Sequence, residues 1–380
     1  MPSPPAIPPI LQTCFSRSWG GLEIQALEVA AHLLRRGHRV WLACCGGSRL
    51  AVEAIPRGIP LYMADVTGYL HPAIAWRLSR FIRTHEIGIV HCQLSKDLAT
   101  VVPAADLAGT SPKILLSKRV GSYLSKRDIL HRYTFSRVSR VLAVSEVIRR
   151  NVVETTPAQA GTVLTLHDAI DTGLFSPAGA DRTSLRKEFG YTDDTVVVGF
   201  AGRFSPGKGH EDFLHAAAEI LRSRPEVRFL VVGEASEGED AYASSIRELC
   251  TRLGLDQTVA FAGFRRDMPN VLAAIDVFAF PSHAESFGVT LIEAMAMERP
   301  AVAANTDGVL DIVVDGETGI FVPPRDPHAL AAALLRLIDS PDLRHRLGSA
   351  ARTRVTAMFD RNAQMDRLEA IYRDLVVGTA

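Results

Sequence analysis

Residues 195–221 read TVVVGFAGRFSPGKGHEDFLHAAAEIL: a β-branched apolar run, a glycine-punctuated loop, then apolar residues at helical spacing. A strand, a glycine-rich turn and a helix in succession are the repeating unit of parallel sheets, whose ligands sit where the strands end. Within the loop, Gly202, Gly207 and Lys208 match the pattern G-x-x-x-x-G-K, in which backbone N–H groups and a Lys cradle phosphate. The next position is Gly209, where a nucleotide-triphosphate loop needs Ser or Thr to ligate Mg²⁺. The missing hydroxyl argues against an ATPase. What remains is a loop suited to holding phosphate by charge and backbone alone.

The same alternation of strand and helix continues on both sides. Earlier strands read PILQTC, RVWLACC, PLYMAD, IGIVHCQ, KILLSK, RVLAVS and TVLTLH; after TVVVGFAG come VRFLVVG, VAFAG, VFAFPS and AVAANT. The count predicts an α/β protein of two Rossmann-like, doubly wound parallel sheets facing a central cleft. HDAIDTGLFSPAGADRTS, rich in Gly, Pro, Asp and Ser, is the natural linker. The expected domains are 1–174, 175–358 and a terminal helical segment 359–380, with Met365, Leu368, Ile371, Tyr372 and Leu375 on one face, expected to pack back on the first domain. After the first strand the chain reads CFSRSWGGLE, without G-x-G-x-x-G, so a dinucleotide fold is poorly supported. Gly20 and Gly21 still open a helix, and helix N-termini attract phosphate.

The composition is that of a folded protein, with 47% hydrophobic and 22% charged residues in a chain of 380. Lys plus Arg balance Asp plus Glu at 42 each, so no overall field favours nucleic acid, and no nucleic-acid partner is expected. Cys14, Cys44, Cys45, Cys92 and Cys250 are odd in number and include no C-x-x-C pair, against both a disulfide framework and a zinc site. The start MPSPPAIPPILQ lacks a basic n-region, and no run reaches the roughly 18 apolar residues of a membrane span. These features predict a cytoplasmic protein.

A second motif lies at residues 280–308, FPSHAESFGVTLIEAMAMERPAVAANTDG. Pro281 and Ser282 end an apolar strand, Ser286 is a candidate helix cap, and Phe287 to Met297 would continue the helix. Glu285 in the loop and Glu293 two turns along would stand on the order of 10 Å apart along the axis, about the span from a sugar through a diphosphate to a ribose. Carboxylates accept hydrogen bonds from sugar hydroxyls. The N–H groups of Ser286, Phe287, Gly288 and Val289 would face the diphosphate, with Arg203 and Lys208 neutralising it. Taken singly, each acid reads better as an ordinary helix-surface or first-turn residue.

The ordered set WGGLE, GRFSPGKG, VVGEA, FAGFRRDMP, PSHAESFGVTLIEAMA and DGETGIFVPPRDPHALAAAL resembles the GT-B glycosyltransferases of family 4, over nearly the whole chain and most closely from Val196 to Leu334. The resemblance implies retaining transfer of a glycosyl group from a nucleotide-diphosphate sugar, UDP-linked first among donors, with no essential metal or cofactor. It implies that Gly20, Gly21, Arg203 and Lys208 hold the diphosphate, that Glu285 touches the donor sugar, that Glu293 binds ribose, and that backbone around Phe264 and Arg265 meets the base. Arg203, Lys208 and Glu285 would be the catalytic set. The chain departs from the family pattern at Glu298–Arg299, in the linker, and after the fifth strand, where SKRVGSYLSK stands in place of an early His. A nucleotide-sugar epimerase and a non-catalytic sugar-nucleotide-binding relative are the alternatives.

The balanced total hides one basic stretch. From Lys113 to Arg150 ten Lys or Arg residues face two acids, Asp128 and Glu146, interleaved with Tyr123, Leu124, Ile129, Leu130, Tyr133 and Phe135. Such a segment attracts anionic lipid at about 1 kcal/mol per well-placed cation. It predicts an enzyme working at the inner membrane face on a glycan or lipid-linked acceptor, as in lipopolysaccharide or polysaccharide synthesis. His91, Lys118, Arg119 and Tyr123 are the acceptor-side candidates; a solvated, compensated helix face is the competing reading.

Overall fold

The computed structural model describes residues 6–68, 71–235 and 238–378, so the first five residues of the proline-rich start lie outside it. The chain forms two compact units, Met1–Asp168 with Asn362–Ala380, and Ala169–Arg361. The division falls at Asp168 rather than after Leu174, because Ile170 is already paired within the second unit. Its N–H donates to the Phe359 carbonyl at 3.1 Å and its carbonyl accepts from Arg361 N–H at 2.8 Å. The same two bonds extend that unit past residue 358 to Arg361.

The first unit is built on β1 (Ile10–Cys14), β2 (Val40–Cys44), β3 (Leu61–Met63), β4 (Ile89–Cys92), β5 (Lys113–Lys118), β6 (Val138–Ala143) and β7 (Val163–Thr165). They form one parallel sheet in the order β3-β2-β1-β4-β5-β6-β7. Every residue of β1 and β4 is buried, as a strand covered on both faces requires, the polar Gln12, Thr13 and His91 included. The last helix, Arg361–Val377, adds Met365, Leu368, Tyr372 and Leu375 to the core around Leu27, Leu33 and Leu42. Arg36 fastens it by bonds to Asp366 and Glu369 at 2.5 and 3.0 Å.

The second unit carries β8 (Val197–Ala201), β9 (Arg228–Val232), β10 (Val259–Gly263), β11 (Val277–Phe280), β12 (Ala301–Ala304) and β13 (Gly319–Val322). The order is β10-β9-β8-β11-β12-β13, again all parallel. β13 was not among the strands expected from the sequence. It is four residues long, begins on a glycine and is closed by Pro323 and Pro324, too short for periodicity to register. In each sheet the order reverses beside the first strand, between β1 and β4 and between β8 and β11. Loops leaving neighbouring strands there diverge and open a crevice at their carboxyl ends.

Candidate functional site

The crevice of the second unit is where the two sequence motifs meet. The loop Gly202–Gly209 leaves β8 and leads into the helix His210–Ile220; the loop Pro281–Gly288 leaves β11 and leads into the helix Val289–Ala296. Gly209 sits at φ +83°, and a Cβ there would stand 2.3 Å from the Pro281 carbonyl oxygen. The glycine therefore answers to contact between the loops. His283 N–H donates to the Gly207 carbonyl at 2.8 Å, and its Nε2 lies 2.6 Å from Asp212 Oδ2, which ties the loops a second time.

Across this seam Lys208 Nζ lies 2.5 Å from Glu285 Oε2, both side chains mostly shielded. Arg203 Nε lies 3.6 Å from Glu239 Oε2, and Ser205 Oγ donates to the other oxygen of Glu239 at 2.6 Å. Arg203 remains half exposed, so its guanidinium is accessible to a ligand. Glu285 N–H donates to Asp307 at 3.3 Å, and its carbonyl accepts from Gly308 N–H at 2.8 Å. Those bonds stretch residues 285–288 along the turn at 306–308. Ser286 is consequently not the helix cap: Gly288, at φ +122°, takes that place and the helix starts at Val289. Phe287 is buried edge-on against Phe359, leaving its backbone rather than its ring for any ligand.

Glu293 stands in the second turn, among buried Leu291, Ile292, Ala294 and Met295. That apolar setting lifts its carboxyl to about 8, against the opposing pull of Arg361. Phe264 and Arg265 follow β10, the edge strand; Phe264 is about half exposed, while Arg265 is held by Glu188 and Asp267, each at 2.8 Å. His210 is neutral, its pKa pressed down to about 3 by burial against Phe200 and Phe204. Asp212, Glu239, His283 and Asp307 were absent from the sequence-based set. The only local hint was His283 within PSHAES; the other three become relevant through packing.

In the first unit Gly20 precedes and Gly21 opens the helix Gly21–Arg35. Neither has a positive φ, and a Cβ on Gly21 would meet nothing within 4 Å, so the unit itself leaves space above that helix end. His91 is not an open strand-end group. It is 2% exposed, with Nδ1 2.7 Å from Tyr372 Oη and Nε2 2.8 Å from Ser117 Oγ, and burial beside Arg119 presses its pKa to about 3. Both ring nitrogens are spent on packing, which removes it from the acceptor-side candidates. Lys118 is buried at the end of β5, Arg119 is bonded to Asp168 at 2.8 Å, and Tyr123 is fully exposed. Asp97, after β4, is wholly buried: one oxygen accepts from Thr13 Oγ1 and Phe15 N–H, both at 3.2 Å, and burial raises its pKa to about 7. All five cysteines are buried and free, and among the described residues no group of acids, His and Cys is placed to hold a metal.

Two family models match, "Glycosyltransferase Family 4" over residues 19–174 and "Glycosyl transferases group 1" over residues 181–354. The chain belongs to glycosyltransferase family 4. Curated relatives include a D-inositol 3-phosphate glycosyltransferase from Segniliparus rotundus, 33% identical over 63% of this chain and 53% of the relative. Another is a GDP-mannose-dependent monoacylated alpha-(1-6)-phosphatidylinositol monomannoside mannosyltransferase from Corynebacterium glutamicum, 29% identical over 79% of this chain and 80% of that one. The chain spans about half the length of the first curated relatives it matches. Among solved structures, Anabaena HepE in complex with UDP superposes with a TM-score of 0.85 over 96% of this chain and 99% of its own, at 24% identity. At that identity the likeness fixes the GT-B fold alone. Both motif loops of the family 4 chain lie inside the second matched segment.

Proposed function

We propose that this family 4 protein is a retaining glycosyltransferase. It moves a sugar from a nucleotide-diphosphate donor to a glycan or lipid-linked acceptor, without an essential metal. The observation that carries the reading is the Lys208–Glu285 pair bridging the β8 and β11 loops at 2.5 Å, with accessible Arg203 on the same loop. Breaking the anomeric bond puts negative charge on the departing diphosphate, and fixed cations with the first N–H groups of the helix Val289–Ala296 stabilise it as it forms. Donor binding would let the phosphate oxygens replace Glu285 at Lys208, freeing the carboxylate for a sugar hydroxyl. Glu293, neutral at pH 7 in the free protein, is then a ribose-binding group able to donate as well as accept. Phe264 and the backbone at Arg265 are assigned to the base.

A UDP-sugar is the first donor to test, because HepE was solved with UDP, and GDP-mannose is the second, because the Corynebacterium relative depends on it. The deciding experiment incubates the protein with labelled nucleotide sugars, with and without acceptor-containing extract, and follows label and anomeric configuration by NMR. Transfer with retained configuration supports the reading. Isomerised donor in the absence of acceptor would replace it with the epimerase, and binding without turnover would replace it with a non-catalytic relative. Activity should persist in EDTA.

We place the acceptor at an anionic membrane surface, in lipopolysaccharide or polysaccharide synthesis. Support comes from the exposure of Val120, Tyr123, Leu124 and Ile129 within the basic stretch. Part of that charge is compensated, Arg137 by Asp106 and Arg149 by Glu146. Co-sedimentation with anionic but not neutral vesicles, fading with salt, is the expected result. Equal, negligible binding to both would remove the membrane from the reading.

A further inference from the structure

Lys118 ends β5 and is only 9% exposed, yet among the described residues its ammonium finds a single partner, Ser95 Oγ at 3.1 Å. Among the described residues no carboxylate faces it, and the charge that acts on it is another cation, Lys126; burial and that neighbour bring its pKa down to about 8. A buried cation without an anion is costly, and proteins ordinarily pair or remove it. Its neighbour Arg119 shows the ordinary solution, bonded to Asp168 at 2.8 Å and to Gln93 Oε1 at 2.5 Å. Arginine only donates, so this bond fixes the orientation of the Gln93 amide. Gln93 Nε2, on a side chain 1% exposed, is left with no acceptor. Gln93 and Ser95 follow β4, Lys118 ends β5 and Arg119 follows it. The two strands are adjacent and in register, so these groups share the carboxyl end of the sheet.

We propose that the ends of β4 and β5 form an anion site that binds a phosphate ester of the acceptor, with Lys118 as the principal contact and Gln93 and Lys126 assisting. This rests on the glycosyl-transfer reading for the word acceptor, but the anion site is defined by the first unit alone. A phosphate monoester carries about −1.5 to −2 at pH 7 and matches two uncompensated lysines better than a carboxylate does. Lys118 then supplies specificity: a glycan lacking the phosphate leaves the buried ammonium unpaired.

The test uses the full chain and three variants, Lys118→Met, Lys118→Arg and Lys208→Ala. Inorganic phosphate is titrated by thermal shift and calorimetry at constant ionic strength, with chloride as control. Lys208→Ala separates this site from the second unit. Phosphate binding that survives Lys208→Ala, falls at least tenfold in Lys118→Met and is partly restored in Lys118→Arg is the expected pattern. Ligand-free Lys118→Met should melt no lower than the parent, because methionine fills the same space without the charge; a loss of several degrees would show that the ammonium serves the fold and would overturn the proposal. Phosphate binding equal in Lys118→Met and parent would overturn it too. With a glycan prepared with and without a phosphate, KM for the phosphorylated form should rise at least tenfold in Lys118→Met, and equal KM values for both forms in the parent would refute the specificity. Phosphatidylglycerol vesicles form a separate arm: if they alone, and not phosphate or the phosphorylated glycan, bind through Lys118, the ligand is a lipid surface and the acceptor assignment fails. Absence of transfer from every nucleotide sugar, with the phosphate titration intact, would sink the enzymatic reading while leaving the anion site standing.

Discussion

Glu293 illustrates how a single side chain divides stability from function. Folding raises its pKa from 4.5 to about 8, so its favourable contribution is complete below about pH 4.5 and is lost as the pH climbs towards 8. Glu293→Gln has no such loss. Its stability, followed by melting temperature, should exceed that of the parent by an amount that grows between pH 5 and 8, reaching on the order of 2 kcal/mol once partial exposure is allowed for. Donor affinity, measured by calorimetry, should fall in the same variant. A stability difference independent of pH would contradict the account. Lys208 and Arg203 act differently, since neither supports a core: Lys208→Ala and Arg203→Ala should each cost about 2.7–4 kcal/mol in the barrier to transfer, read as kcat/KM, with little change in melting temperature. Near-parental turnover in both would remove the leaving-group role.

The loop from β8 to the helix His210–Ile220 owes its form to its neighbour as much as to its own glycines. Gly209→Ser would complete the nucleotide-triphosphate pattern on paper. In the protein it would place a side chain at φ +83° against the Pro281 carbonyl, so we expect a loss of about 2–4 kcal/mol in stability and no gain of Mg²⁺ dependence. Thermal melts and an ATPase assay with and without Mg²⁺ decide it. The loop after β11 makes the complementary point. Its sequence suggested a serine cap, whereas the backbone bond from Gly308 to Glu285 and the approach of Gly308 to Ser286, where a Cβ would come within 2.2 Å of the carbonyl oxygen, hold it extended until Gly288.

For the chain as a whole, the last helix is part of the first unit's core although the second unit separates them in sequence. Truncation after Arg361 should therefore lower the first of two calorimetric transitions or abolish it, while the second unit still melts cooperatively. A uniform loss of both would count against independent units. Tyr372→Phe is the milder probe: it strands the buried Nδ1 of His91 and should cost about 1–3 kcal/mol in the first unit alone.

Strand, turn and helix along this chain follow from local pattern, because hydrophobic period and glycine position act over a few residues. That is why twelve of the strands among the described residues and the loops bearing Arg203, Lys208 and Glu285 were readable directly, and β13, short and bounded by Gly and Pro, was not. Partnership is another matter. Lys208 and Glu285 stand 77 residues apart, His91 and Tyr372 281 apart, and the lack of a counter-charge at Lys118 depends on which strands lie side by side. His91, read in its strand, is open to a ligand-facing or a structural role, and Lys118 is one acceptor-side candidate among four. Burial and hydrogen-bond partners separate such residues, since the free energy of a polar group depends on what surrounds it in space, which distant segments supply.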